Sequence, residues 1–278
     1  MSTEFRLLEK EELIESLRDI EKRGWIESHK RKTNDGAHGN LLEDLLGIPE
    51  NNLPIPNAAE WELKCHKHGS TSRVTLFHTE PSPRAAKIVA QYLLPMYGWK
   101  HKLAGDRYPE NEQSFRVTLK ANSYQRGFYM YINEQENKIC INFDATKVAE
   151  SDQPWLETVK KRVGHVNGLE VVPYWNLDEV YAITRSKLLN CFFVEAEEKR
   201  ANKRRYFHYF RALMLKDFSI EKYKEALETG NIVFEFDART GHNHGTKCRI
   251  GENFIPTLYR YSETVLDAPS LKNTQPMV

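Results

Sequence analysis

Between Ala59 and His66 apolar and polar residues alternate, and this period of two commits the stretch to a β-strand. Trp61, Leu63 and Cys65 face one side, and Glu60, Glu62, Lys64 and His66 the other. A carboxylate and an ammonium therefore share a face. Phosphodiester hydrolysis with a divalent metal needs hard oxygen ligands for the ion and a cation near the attacking water or the charge developing on phosphorus. Glu62 and Lys64 suit those two tasks. The usual third member of such a centre is an aspartate just upstream, and the residue in the matching place is Asn57.

The tripeptide Glu-x-Lys carries little weight alone, because the chain holds three copies. Glu136-Asn-Lys138 falls in a hairpin turn and Glu197-Glu-Lys199 in a charge run, where solvated surface is the obvious explanation. Glu62-Leu-Lys64 has different surroundings. It follows a Pro-Asn turn and a predicted helix, 41 to 46, that bears Glu43 and stops at Gly47 before Pro49.

A second constellation lies near the C-terminus, where Asp237-Ala-Arg239 precedes His242-Asn243-His244-Gly245 and Arg249. Arg bonds guanine bidentately, Asp accepts from the cytosine amino group, Asn suits adenine and His donates to base-edge acceptors. These are side chains of major-groove reading. Residues 237 to 245 are too rich in Gly, Asn and His for core and are expected as a polar, ligand-binding loop. A plain surface hairpin is the alternative, and it leaves this density of His, Asn and Arg unexplained. Cys65-His66-x-His68 offers zinc-type ligands, but strand parity separates Cys65 from His66 and two partners are missing.

The net charge of +1 excludes a uniformly basic coat, so any DNA contact must be local. Basic clusters stand at Lys30-Arg31-Lys32, Lys160-Lys161-Arg162 and 199 to 205, each with a solvated-surface alternative. No apolar run is long enough to span a bilayer, and the N-terminus lacks signal-peptide order, so a cytoplasmic protein without a membrane partner is expected. Cys65, Cys140, Cys191 and Cys248 are widely spaced, which suits reduced thiols.

Hydrophobic periodicity predicts a first amphipathic helix within 4 to 27 and further helices near 84 to 94, 156 to 163, 177 to 189 and 220 to 229. Strands are predicted near 74 to 78, 115 to 119, 128 to 132, 139 to 143, 191 to 196, 206 to 210 and 232 to 236. Residues 133 to 137 form the turn of a hairpin. The class is α/β or α+β, divided into lobes 1–160 and 161–278.

The order of these parts resembles the MvaI/BcnI restriction endonucleases, relatives of the mismatch-repair nickase MutH among the PD-(D/E)xK nucleases. The residues that carry the resemblance are Lys30-Arg31-Lys32, Leu42-Glu43-Asp44-Leu45-Leu46, Pro56-Asn57 with Glu62-x-Lys64, and Tyr174-Trp175 with Asp178. Gly230-Asn-Ile232, Asp237-x-Arg239-x-Gly241, His242-x-His244-Gly245-Thr246 and Arg249-Ile250 complete it. It runs from about residue 20 to 255.

The resemblance implies a PD-(D/E)xK core, a mixed sheet flanked by helices, with a C-terminal recognition lobe. It also implies a monomeric, Mg2+-dependent type II enzyme that grips duplex DNA and cuts short CC-centre-GG sites one strand at a time, beside a cognate DNA methyltransferase. By position, Glu62 is a metal ligand, Lys64 the catalytic lysine and Glu43 a supporting acid. Lys30, Arg31, Lys32, Asp237, Arg239, His242, Asn243, His244 and Arg249 fall at DNA-contacting places. Asn243 stands where MvaI has Asp, and Asn57 where the family has its metal-binding Asp. An amide oxygen still coordinates but brings no negative charge, so metal affinity and cleavage should fall steeply. An engineered replacement, a natural binding-only descendant, and compensation by Glu60 or Asp44 are three accounts of it.

Overall fold

The computed structural model describes residues 8–28, 36–48, 60–164 and 166–271. In chain order the elements are α1 (Lys10–Lys22), β1 (Ile26–Glu27), α2 (Ala37–Leu46), β2 (Glu62–Lys67), β3 (Arg73–His78), α3 (Leu94–Tyr97), β4 (Trp99–Lys100), β5 (Gln113–Leu119), β6 (Phe128–Asn133) and β7 (Lys138–Phe143). Then follow α4 (Gln153–Val163), β8 (Tyr174–Asn176), α5 (Leu177–Leu188), β9 (Cys191–Ala201), β10 (Arg204–Phe218), α6 (Ile220–Glu228), β11 (Ile232–Arg239), β12 (His242–Asn243), β13 (Lys247–Gly251) and β14 (Tyr259–Asp267).

Two compact units result, and they are interleaved along the chain. The first comprises Met1–Ser72, Arg185–Lys222 and Glu252–Val278, and the second Arg73–Thr184 and Tyr223–Gly251. A division at residue 160 does not describe this partition. The physical reason is strand pairing: β2 finds its neighbour in β9, in parallel from Glu62↔Cys191 to Lys67↔Ala196, so the first unit cannot close until the chain returns.

The sheet of the first unit runs β1-β10-β9-β2, with β14 also on β10, and β2 is its one parallel addition. On one face, Leu13, Leu17 and Ile20 of α1 and Leu42 and Leu46 of α2 pack on Trp61, Leu63, Phe192, Val194, Phe207 and Tyr209. Truncating one such aromatic to Ala typically costs about 3–5 kcal/mol. Gly47 ends α2 in the left-handed region, φ 68°, and its N–H bonds back to Asp44 O, as the Gly-then-Pro order predicts.

The second unit holds a sheet β3-β13-β11-β5-β4, with β12 on β11, and a three-stranded sheet β6-β7-β8. Its core is aromatic: Tyr97, Phe115, Phe128, Phe143, Phe234, Phe236 and Trp175 meet at ring separations of 4.5 to 5.7 Å. The hairpin of 133 to 137 joins β6 to β7 with Asn133 facing Lys138. The helix predicted over 84 to 94 breaks into a tight turn, a widened turn over Val89–Leu93 and α3. Pro95 lacks the N–H that a regular helix needs there. Among the described residues no helix is long and apolar enough to cross a membrane, and all four cysteines are free thiols.

The charge run at Glu197-Glu198 is not solvated surface. Glu197 is buried and accepts hydrogen bonds from Ser270 Oγ and Leu271 N–H. Glu198 accepts from Lys67 Nζ (3.1 Å), Arg200 Nε (2.9 Å) and Arg205 Nε (3.0 Å), which ties β2 to β9 and β10. Burial alone would push the Glu198 carboxyl up, but hydrogen bonds from Arg200, Lys67 and Arg205 outweigh it and lower it from 4.5 to about 2. A pKa depressed by folding adds stability that is present above the unfolded value and is lost as pH falls through the folded one. The melting-temperature gap between the wild type and Glu198→Gln should therefore be widest above about pH 5 and narrow steadily toward pH 2. A gap unchanged from pH 6 to 3 would show that the cluster does not act this way.

Candidate functional site

Glu62 opens β2, and its N–H donates to Asn190 O at 2.9 Å. Parallel register puts Glu62, Lys64 and His66 on the same face as Cys191, Phe193 and Glu195 of β9. The Lys64 ammonium donates to Glu62 Oε1, and the two side chains are 28% and 10% exposed. Burial raises the adjacent Cys191 thiol to about 12, with Lys64 lowering it and Glu62 raising it in smaller measure. The alternation in the sequence thus yields a cation and a carboxylate held together on a largely apolar floor.

His66 shares this face but does not project into solvent. It is buried, its Nδ1 lies 3.1 Å from Glu252 Oε2, and its ring stacks on Phe193. An open cavity of about 490 Å³ adjoins it, lined by His68, Glu195 and Arg211 among others. Glu252 had no signal in the sequence, since it is 186 residues from His66.

Helix α2 covers the Leu63 side of the strand. His38 Nε2 lies 3.1 Å from Cys65 O, and the buried Tyr209 hydroxyl donates to His38 O at 2.7 Å. Burial, then the carboxylates of Glu252 and Glu43, push the Cys65 thiol well up, so Glu43 stands within electrostatic reach of Cys65. Cys65 packs against the core as strand parity predicts. Asn57 and Lys30, Arg31 and Lys32 lie outside the described residues. Glu62 carries a hard carboxylate oxygen of the type a divalent cation takes. Among the described residues no group of three or more His, Cys, Asp or Glu is placed to hold a metal ion.

The second unit gathers the C-terminal candidates. Residues 237 to 245 are a hairpin rather than an irregular loop, because Asp237 and Arg239 continue β11 and Arg239 pairs with His242 across Thr240-Gly241. Along β11, Phe234, Phe236 and Ala238 are buried, while Glu235, Asp237 and Arg239 alternate onto the opposite face. Each outward residue has a partner. Arg116 of β5 lies directly opposite Asp237 and donates to its Oδ1 from Nε (2.9 Å) and Nη2 (2.7 Å). Arg239 donates to Glu112 at 2.9 Å and lies over the Tyr108 ring. Glu235 joins Arg73 (3.2 Å) and Arg249 (3.0 Å). Arg73, Arg116, Glu112, Tyr108 and Glu235 were not legible as site residues; only pairing across strands brings them here.

The His-Asn-His turn is held from below by Glu80. Its Oε1 accepts from the Thr246 N–H (2.7 Å) and hydroxyl (3.1 Å), and its Oε2 from Asn243 Nδ2 (3.2 Å). Asn243 Oδ1 accepts from Gly245 N–H, so both ends of that amide are engaged within the turn. His242 Nε2 lies 3.3 Å from His244 Nδ1. Gly245 has φ 79°, and a Cβ there would collide with His78, so two constraints select glycine.

Several side chains of the remaining basic clusters are paired within their own units. Arg162 Nη1 donates to Gly98 O at 2.8 Å and Lys160 pairs with Glu157. Arg204 pairs with Glu27, and Arg200 and Arg205 with Glu198.

Residues 14–259 match the model of the MvaI/BcnI restriction endonuclease family. Curated proteins gave no match. Among solved structures, the chain is similar to one described as a restriction endonuclease MvaI–cognate DNA substrate complex, at TM-score 0.64 and 21% identity over 91% of this chain and 97% of that one. It is also similar to restriction endonuclease MvaI in the absence of DNA, at TM-score 0.54 and 20% identity over 91% and 98%.

Proposed function

Because the chain belongs to the MvaI/BcnI restriction endonuclease family, and so to a family of nucleases, we propose that it is a type II enzyme hydrolysing both strands of duplex DNA at one short, pseudopalindromic CC-centre-GG site. It acts as a monomer, one strand at a time, beside a methyltransferase that protects the same site. The observation that carries this reading is the Glu62–Lys64 pair on one face of β2. The structural relative described with its cognate DNA substrate supports duplex DNA as the partner.

Water attacks phosphorus in line, the bond to the leaving oxygen breaks, and that oxygen leaves with a proton. The Lys64 ammonium, held by Glu62 Oε1, stabilises the charge that builds on the phosphorane oxygens and orients the water. Glu62 and residue 57 would hold the ion through their side-chain oxygens, with Glu43 as a supporting acid. Mg2+ bound there supplies Lewis-acid stabilisation of the developing charge. Asp237, Arg239, His242, His244 and Arg249 form the reading face, and Lys30, Arg31 and Lys32 hold phosphates.

Sequencing the ends left by the Asn57→Asp variant on unmethylated genomic DNA tests this. Ends clustered at one short motif are expected, and no ends, or ends scattered at random, would overturn it. On a plasmid, persistent open circles without linear product would favour a MutH-like nickase. Asn57 favours a second reading, sequence-specific binding without cutting; then Glu62→Ala and Lys64→Ala would leave activity in the cell untouched. Under either reading, Arg239→Ala and His244→Ala should each weaken binding to the selected site by about 10- to 100-fold in a gel-shift titration. Unchanged affinity in both variants would remove this face from recognition.

A further inference from the structure

We propose that Arg116 reads a guanine of the recognition site through the major groove, with Asp237 as its brace; the proposal rests on the restriction-endonuclease reading above. Arg116 is a direct cross-strand neighbour of Asp237, on adjacent strands of the large sheet of its unit, so the backbone register itself sets the pair. Its Nε and Nη2 both donate to one oxygen, Asp237 Oδ1, at 2.9 and 2.7 Å. Those two bonds consume two of the five guanidinium N–H groups and stop rotation about the last side-chain bonds. The fork between Nη1 and Nη2 stays open, and that fork spans guanine O6 and N7.

Adenine presents an amino group where guanine has O6, so the same fork would meet a donor there. The couple therefore discriminates G·C from A·T at one position. Exposure separates Arg116 from the other arginines of this face. Its side chain is 60% exposed, against 31% for Arg239, 31% for Arg249 and 44% for Arg73. Arg239 and Arg249 pair with Glu112 and Glu235 and are the less exposed of the set. An exposed pair such as Arg116–Asp237 adds little to folding, so replacing Arg116 should leave the fold intact.

The test begins with selection of a motif by the wild-type chain from a pool of duplexes with a randomised centre, without magnesium. Binding of the selected duplex and its single base-pair variants is then measured by fluorescence anisotropy. Arg116→Ala should weaken the selected duplex by about 10- to 100-fold and remove the preference at one G·C pair, leaving the other positions as they were. Arg116→Lys, which keeps the charge and loses the fork, should relax the same position, and Asp237→Asn should weaken it. A melting temperature within a few degrees of wild type shows that each variant is folded. Should Arg116→Ala fail to fold, the Lys and Asn variants decide.

Full preference at every G·C pair in the folded variants overturns the assignment, and so does an equal loss on every duplex, the mark of a phosphate contact. A wild type that selects no motif overturns both this proposal and the function it rests on. A selected motif with unaltered preference in the variants overturns this proposal alone.

Discussion

Asn57→Asp is expected to speed cleavage of unmethylated supercoiled plasmid in magnesium by about 1,000-fold, which corresponds to about 4 kcal/mol of transition-state stabilisation. The reason is charge. Mg2+ gives up its waters reluctantly and repays the loss best with anionic oxygen, so a neutral amide at residue 57 leaves Glu62 as the one certain carboxylate of the pair. The change also replaces an amide by a carboxylate of nearly equal size, so the gain should come without a change in melting temperature. Rates are read under single-turnover conditions from the loss of supercoiled DNA and the successive appearance of nicked and linear forms. Equal rates for the two chains would mean that another acid, Glu60 or Asp44, already does the work of residue 57.

In the Asn57→Asp background, Lys64→Ala should lower the cleavage rate by about 1,000-fold or more, in line with the loss of one preorganised donor to a developing oxyanion. Glu62→Gln should do so to a similar degree, because it removes the β2 carboxylate from the metal site while keeping an acceptor for the Lys64 ammonium. Binding to the selected duplex without metal should change by less than about 3-fold in both, since neither residue belongs to the face that carries Arg239 and Arg116. The two losses should not add. Lys64 and Glu62 are in contact and serve the same transition state as one unit, so the double variant should resemble the worse single one. If both single variants cut at the parent rate, the reaction centre is not on β2.

Local rules predicted much of this molecule. Gly47 followed by Pro49 marks the end of α2, and the structure ends it there with a left-handed glycine. The turn at 133 to 137 and the alternation through Trp61, Leu63 and Cys65 likewise appear where expected. The errors share a cause. Glu197 and Glu198 look like solvated charge only until β9 is known to lie between β10 and β2, where Lys67, Arg200 and Arg205 surround Glu198. The boundary at residue 160 fails because β2 needs β9, more than a hundred residues later, as its neighbour.

The candidate centre divides in the same way. Glu62 and Lys64 are two residues apart, and a period of two is enough to put them on one face whatever the rest of the chain does. Asp237 and Arg239 are legible for the same reason. Their partners are not: Glu252 meets His66, Arg116 meets Asp237, and Glu80 reaches under the His-Asn-His turn across separations of more than a hundred residues. Side-chain direction along one strand is a property of neighbouring bonds and can be read from order alone. Which strand lies alongside, and in which register, depends on burying the apolar faces of the whole unit at once, and that choice exists only in the folded chain.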